Sequence, residues 1–332
     1  MRRRAPPVAL TAPVPVYEPV GCPRCGAELC LTLFSGTDRL YRTTEKRFTI
    51  VECSDCGLLR LKPMPDPEEL KTFYPEQYWW EADNSIGGRL GDLYRRFVLN
   101  DHVKFVTSAM EAPGPVLDIG CGGGLLVEAL SDQGYGVLGA DTSVKAAQVC
   151  LNRAQVPAVC ASLPHLPFRE QSFGGVTMFH VLEHLYDPFA AIEAATHLLA
   201  PGGRLVIQTP NADCWQLMLL GQHWSGLDIP RHLYDFRAED LEALLAGCGF
   251  EVRRVKRFSL RDNPAGLATS FFPQLEPVAR RARRVNEGPA LGLLKNAIYL
   301  ALTVAAVPFA VLEAAGGAGS TVMIEAARAG EE

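Results

Sequence analysis

Excess positive charge and unbroken apolar sequence are both scarce in this chain of 332 residues. Lysine and arginine number 32 against 37 acidic residues, a net charge of −5. The basic field that holds a chain non-specifically on nucleic acid is therefore missing overall, and no nucleic-acid partner is expected. Basic runs do occur at Arg253-Arg254-Lys256-Arg257 and Arg280-Arg281-Arg283-Arg284; a solvated helix face or strand edge is their plainer reading. Met1-Arg2-Arg3-Arg4 starts like an export signal, but Pro6, Pro7, Pro13 and Pro15 break the apolar stretch that should follow, and no small-residue cleavage site comes after it. Residues 1–20 are expected to be a disordered, proline-rich tail, and the compartment the reducing cytosol. There, ten cysteines point to metal binding or buried thiols instead of a disulfide framework.

Ala297 to Leu312 is free of charge. It falls short of the about 20 apolar residues that span a bilayer as a helix, and Pro308 interrupts it, so a transmembrane helix is not expected. A buried hairpin is the plain reading. The sharper one is an interfacial segment over about residues 289–316, with Lys295 and the preceding arginines meeting anionic headgroups. Internal repeats are absent.

What the chain does have is enough length for one large domain and a small one. Strand-like and helical runs alternate from Gly114 onward. The strands are Pro115–Ile119, Val137–Ala140, Ala158–Cys160, Gly175–Phe179, Arg204–Gln208 and Phe250–Val255, with a last one at 321–327. Helical stretches between them imply an α/β fold, a parallel sheet covered on both faces. The organisation expected is a tail over 1–20, a cysteine-bearing ribbon over 21–62, a helical linker or cap over 63–112, a core over 113–258, an apolar helical insertion over 259–318 and a last core strand over 319–329. The cap carries an aromatic cluster at Tyr74, Tyr78, Trp79 and Trp80. With Trp224 and Tyr234, Tyr78 and Trp79 are candidates for a pocket wall, although core packing is the safer reading of any single aromatic.

Asp118 closes a buried strand, and Gly120-Cys121-Gly122-Gly123-Gly124 turns the chain into a helix. Glycines there permit positive φ and close ligand approach, at the strand end where open sheets bind ligands. A dinucleotide needs a third spaced glycine, and that place is Leu125. A carboxylate before the loop repels a pyrophosphate but suits the cationic amino-acid end of S-adenosylmethionine. Asp141, closing the next strand, can accept both ribose hydroxyls.

Cys22-Pro23-Arg24-Cys25 and Cys53-Ser54-Asp55-Cys56 form two Cys-x-x-Cys knuckles, each followed by glycine, Gly26 and Gly57. Four thiolates at this spacing make a closed tetrahedral site for structural zinc; free or redox-active dithiols are the alternative.

With these motifs in order, the chain resembles the class I S-adenosylmethionine-dependent methyltransferases. It is most similar to the subgroup with an N-terminal zinc ribbon, which includes sugar C-methyltransferases. The resemblance covers residues 20–258 and the last strand. It rests also on Leu166-Pro167-Phe168, Val181-Leu182-Glu183-His184, Asp187-Pro188 and Leu199-Ala200-Pro201-Gly202-Gly203. It implies a Rossmann-like, doubly wound, mostly parallel sheet with an antiparallel last strand. It also implies cofactor contacts from Asp118, Gly120, Cys121, Gly122, Asp141, Thr142, Ser162, Leu163 and His180. Ser162 stands where the family often has an acid for the adenine amino group, and Gly174 departs from the family's Ser-Phe-Asp.

Methyl transfer needs a base only when the acceptor has a proton to lose. His180, His184 and His232 are the candidates, since histidine titrates near neutrality. His184 can instead orient its own turn, and Glu183 can hold His184 or cap the next helix. The acceptor expected is a small molecule (sugar, polyketide-like or lipid-linked) methylated at oxygen or carbon. A non-catalytic cofactor-binding module whose ribbon contacts a macromolecule is the alternative, and an NAD-dependent oxidoreductase is disfavoured by Asp118 and Leu125.

Overall fold

Two antiparallel hairpins' worth of strand precede the alternating region in the computed structural model, which describes residues 21–75, 86–110 and 112–330. The expectations for residues 1–20 and for Tyr78, Trp79 and Trp80 lie outside the described residues. Strands β1 (Cys30–Gly36), β2 (Phe48–Cys53) and β3 (Leu59–Lys62) pair in sequence order. Phe48, Ile50, Leu59 and Leu61 are buried from this sheet. Helix α1 (Pro67–Thr72) starts on Asp66, whose side chain accepts from the amides of Glu68 and Glu69, with proline at the first turn where no amide hydrogen is needed. The long helix α2 covers Ile86–Thr107.

The core alternates β4 (Val116–Ile119), α3 (Leu125–Ser131), β5 (Val137–Asp141), α4 (Val144–Ala154), β6 (Ala158–Cys160), β7 (Phe173–Phe179), α5 (Pro188–Leu198) and β8 (Leu199–Pro210). Then come α6 (Trp215–Leu220), the short β9 (Tyr234–Asp235), α7 (Ala238–Gly247), β10 (Phe250–Lys256), α8 (Asn263–Phe271), α9 (Pro277–Ala282), α10 (Pro289–Ala315) and β11 (Thr321–Arg328). The main sheet has seven strands in the order β10-β11-β8-β7-β4-β5-β6. Strands β4 to β8 pair in parallel, and β11 is antiparallel to both its neighbours. This is the Rossmann-like, doubly wound arrangement. Chain direction across the sheet reverses between β4 and β7, so the loops after these strands part and open a crevice at their carboxyl ends.

Two features escaped the sequence pattern. Strand β9 is two residues long and shows no periodicity, yet it completes the first sheet: β3 pairs with it at Leu59–Asp235 and Arg60–Tyr234. The ribbon strands and the core therefore share one hydrophobic cluster, in which Phe48 and Leu61 join Trp224, Leu227 and Leu233.

The apolar stretch after α9 is one helix of 27 residues, which corrects the expectation of a buried hairpin. Pro308 lies inside the helix and does not end it; only the carbonyl one turn earlier loses its amide donor. By length and composition α10 is long and apolar enough to cross a membrane. Its inward stripe is Thr303, Ala306, Ala310 and Glu313, and its leucines face outward.

Candidate active site

Strands β4 and β5 are parallel neighbours, which brings Asp118 and Asp141 to adjacent strand ends. The glycine loop folds back over β5: the amides of Gly120 and Cys121 donate to the Ala140 carbonyl at 2.7 and 3.1 Å. Gly120 has φ 76°, and a Cβ there would collide with Val181, so only glycine fits the turn. One Asp141 carboxylate oxygen accepts from the Gly122 amide at 3.0 Å and the other from the Ser143 amide at 2.8 Å. The acid of β5 thus braces the loop of β4.

Asp118 is 4% exposed and accepts from the Thr177 hydroxyl at 2.6 Å. Burial, set against that hydrogen bond and reinforced by the Asp141 charge, pushes its carboxyl up to about 7. Burial also raises Asp141, against the amides that hold its charged form. Among the described residues no cationic side chain forms an ion pair with Asp118. Two acids in one crevice without a counter-cation fit a ligand that brings positive charge, as an S-adenosylmethionine sulfonium and ammonium do.

Thr142 and Ser162 are exposed just beyond β5 and β6, with Leu163 beside Ser162. The Cys121 thiol turns inward against Cys150, so this residue can offer a ligand its backbone only.

Across the crevice, His180 follows β7 with φ 56°, a left-handed conformation rare outside glycine that accompanies functional constraint. Its Nδ1 lies 3.2 Å from Glu183 Oε1, and its Nε2 lies 2.8 Å from Gln208 Nε2 and 3.8 Å from Asp262 Oδ2. Burial favours the neutral ring, but the Asp262 and Glu183 carboxylates outweigh it and hold His180 at about 9. The Gln208 amide nitrogen also donates to Asp262 at 2.9 Å, which fixes the amide orientation, so a charged His180 ring turns its Nε2–H toward the Asp262 carboxylate. Asp262, at the start of α8, also meets Gln208 Nε2 at 2.9 Å, the Ser259 hydroxyl at 2.6 Å and His102 Nε2 at 3.2 Å. Burial opposes its charge, but Arg261, His102 and His180 bring its carboxyl well below the usual range. Neither Asp262 nor His102 was singled out in the sequence. The only local sign is Asp-Asn-Pro, a helix-start pattern.

The second cluster lies one turn further on. His184 Nδ1 is 3.0 Å from the Arg231 carbonyl and 3.1 Å from the Tyr74 hydroxyl. Its ring meets that of His232 edge to face, with centroids 4.7 Å apart. His232 Nδ1 donates to the Gly226 carbonyl at 2.8 Å. Burial, together with the neighbouring His184, pushes His232 down to about 4, so it is a neutral imidazole at neutral pH. Ligand atoms of Glu183, His184 and His232 lie within 4.8 Å of one another, a set able to share a proton or to hold a cation. Asp235 on β9 is buried with neither carboxyl oxygen hydrogen-bonded. Burial, with Glu183 and Asp228 nearby, holds it well above the carboxylate range.

Arg231 is 0% exposed. It donates to Asp38 at 2.9 Å, to Asp228 at 2.7 Å and to the Phe73 carbonyl at 3.0 Å. The loop between β1 and β2 thereby fixes the residue immediately before His232.

At the far end of the ribbon, Cys22 and Cys56 sulfurs are 3.5 Å apart, as are Cys25 and Cys53. All four lie within 4.8 Å of one another. Zinc–sulfur bonds of about 2.3 Å place tetrahedral sulfurs about 3.8 Å apart, so the cage matches zinc in size. Gly26 and Gly57, at φ 77° and 76°, turn the knuckles so that their amides donate to the Cys22 and Cys53 carbonyls at 2.7 and 3.0 Å. Burial raises the Cys53 thiol, but amide donation from Cys56 and Asp55 overcomes it and brings Cys53 to about 7. Cys30 stands outside the cage.

Residues 92–255 match the family model of a methyltransferase domain. The chain is 31% identical over 191 residues to the ubiquinone biosynthesis O-methyltransferase of Xanthomonas axonopodis pv. citri (strain 306), covering 53% of this chain and 77% of that protein. It is 30% identical over 181 residues to the protein of the same name from Coxiella burnetii (strain RSA 493 / Nine Mile phase I), covering 52% and 74%. Among solved structures, an S-adenosylmethionine-dependent methyltransferase from Archaeoglobus fulgidus aligns with a TM-score of 0.46 at 18% identity, covering 73% of this chain and 99% of that one. The chain belongs to the class I S-adenosylmethionine-dependent methyltransferases. It is an enzyme that transfers a methyl group from S-adenosylmethionine to a small-molecule acceptor.

Proposed function

We propose that the enzyme methylates a hydroxyl oxygen of an amphiphilic acceptor, with the methyl donor held between Asp118 and Asp141. The observation that carries this reading is His232, held neutral beside His184 and Glu183 at the carboxyl edge of the sheet. When bound, S-adenosylmethionine supplies an already activated methyl on a cationic sulfur, so positioning carries most of the chemistry. Asp118 takes the cationic amino-acid end, Asp141 and Thr142 the ribose hydroxyls, and Ser162 and Leu163 the adenine. Gly120, Gly122 and the Cys121 backbone shape the floor. His180, kept protonated by Asp262 and Glu183 with both ring nitrogens engaged inside the protein, borders the donor and acceptor pocket and brings its charge to it. His232 takes the hydroxyl proton as the methyl leaves sulfur, and Glu183 and His184 settle the resulting charge.

Three further parts belong to this reading. Cys22, Cys25, Cys53 and Cys56 hold structural zinc, which fixes the ribbon against the active-site wall. The outward leucines of α10, within residues 289–316, touch a membrane surface. The enzyme works in the cytoplasm at that surface, where lipid-linked acceptors are reached. Relatives named for ubiquinone biosynthesis support an oxygen acceptor on an amphiphile. Isothermal titration with S-adenosylmethionine tests the donor site in the metallated protein: one site is expected, and no binding overturns the reading. Turnover to S-adenosylhomocysteine in the presence of a cell extract separates an enzyme from a binding module.

A further inference from the structure

Helix α10 is inverted relative to an ordinary surface helix. Its polar groups point at the protein: Thr303 and Glu313 are buried, Glu313 binds the Gln216 amide at 2.9 Å, and the Tyr299 hydroxyl meets Thr269 at 2.8 Å. Its large aliphatics point out, with Leu294 56%, Val304 60% and Leu312 64% exposed. A surface helix in water has the opposite pattern, and an exposed apolar face of this extent marks an interaction surface. Because its polar stripe is tied to α6 and α8, the helix lies along the domain and does not leave it.

At the N-terminal end of this face is a cavity of roughly 580 Å³ whose lining includes Arg42, Arg280, Arg283 and Lys295. Glu287 pairs with both Arg280 and Lys295 and accounts for two of these charges. Among the described residues Arg283 donates to the backbone carbonyls of Ala279 and Pro273, at 3.1 and 3.2 Å. Among the described residues neither Arg42 nor Arg283 forms an ion pair with a carboxylate. Burial and the facing Arg42 charge hold Arg283 below its ordinary pKa even though Glu276 and Asp38 favour its charge, the mark of guanidiniums crowded together. Arg42 has φ 58°, a left-handed backbone uncommon for this residue type.

We propose that this cavity and α10 form one docking surface for an anionic phospholipid bilayer: Arg42 and Arg283 bind headgroup phosphate while the outward leucines enter the acyl boundary. Guanidinium forks match phosphate oxygens, and the leucine face supplies the apolar partner such a headgroup brings with it. The surface adjoins the active site. Tyr41 lines the cavity and lies beneath Arg231 at 4.4 Å, and Pro75 lines it next to Tyr74, which touches His184. An acceptor held in the bilayer is thereby presented to the catalytic histidines. This inference rests on the membrane contact proposed above and adds the headgroup chemistry and the residues that read it.

The test is co-sedimentation of the full, metallated chain with vesicles of phosphatidylcholine alone or mixed equally with phosphatidylglycerol. Binding is expected on the mixed vesicles, weakening in high salt. Arg42→Gln and Arg283→Gln should each lower it about fivefold, and Leu294→Lys with Val304→Lys should abolish it. Arg42 is exposed, so its variant reports even where loss of the backbone contacts of Arg283 impairs folding. Equal binding to both vesicle types, unmoved by the arginine variants, overturns the headgroup site while leaving the apolar contact standing. Absence of binding to either vesicle, with a leucine-dependent dimer in sedimentation, overturns both. Thermal stabilisation by inorganic diphosphate without vesicle binding assigns the arginines to a free phosphate ligand and overturns the lipid source.

Discussion

Asp38 and Arg231 form a bidentate ion pair, each guanidinium nitrogen 2.9 Å from a carboxylate oxygen, with both side chains 0% exposed. One partner sits in the loop between two ribbon strands and the other immediately before His232, so the ribbon is tied directly to the segment that carries the proposed base. Asp228 completes the arrangement at 2.7 Å. Burial opposes charge at all three groups, yet the arginine holds both acids below their ordinary range and they hold it above its own.

Removing one side of this pair leaves a buried charge uncompensated, at a cost of about 3–5 kcal/mol. Asp38→Ala is therefore expected to lower the stability measured by urea unfolding by about 3 kcal/mol, and to reduce kcat even though Asp38 lies outside the crevice. A loss within about 0.5 kcal/mol, the usual range for an unremarkable surface change, contradicts a coupling role.

Metal analysis of protein purified without chelator should find one zinc per chain, and Cys53→Ser should lose it. Because β3 pairs with β9 two residues from His232, stripping zinc should lower the melting temperature and the methyl-transfer rate together. Full activity in a metal-free, stably folded chain would show that the cage is only a cluster of thiols.

Donor affinity should depend on pH through Asp118. Its carboxyl lies near 7 in the free protein, so below that pH the site is mainly protonated and attracts a cationic ligand less. S-adenosylmethionine binding should strengthen as pH rises from 6 to 8. Below 7 it should release a proton, seen as a dependence of the calorimetric heat on buffer ionisation enthalpy. Asp118→Asn should flatten the profile and weaken binding about tenfold or more, the scale of a lost hydrogen bond to a charged group. A wild-type profile as flat as that of the variant rules out Asp118 as the anchor.

The two histidines make opposite contributions to stability. His180 is raised to about 9, so its contribution is complete below the unfolded value of about 6.5 and is lost as pH climbs through 9. His232 is lowered to about 4, so its contribution is present above about 6.5 and is lost as pH falls toward 4. Asp262→Asn should shrink the alkaline loss and move it to lower pH, because Asp262 is the first of the two carboxylates that raise His180. Urea midpoints measured across this range check it; an unchanged alkaline limb in the variant contradicts the assignment.

The strands of the core were readable because each is a short apolar run bounded by glycine or proline, and Asp118 and Asp141 were readable because they close two such runs. The cysteine cage was readable because its spacing is local. Asp38, His102 and Asp262 were not, since their partners lie 193 and 160 residues away in the chain and such contacts leave no periodicity. The full length of helix α10 is hidden in the sequence for a different reason. The charge-free stretch is bounded by Lys295 and Glu313, but both charges are taken up within the protein, by Glu287 and Gln216, and the helix runs past both, over Pro289–Ala315.

The most direct measurement is mass spectrometry of the purified, metallated enzyme incubated with S-adenosylmethionine and a lipid-soluble cell extract. S-adenosylhomocysteine should form together with a product heavier by one methylene at a hydroxyl oxygen, and His232→Ala should suppress both while retaining donor binding. Donor binding without S-adenosylhomocysteine from any extract fraction, or a His232→Ala variant as fast as the wild type, would contradict methyl transfer through this histidine cluster.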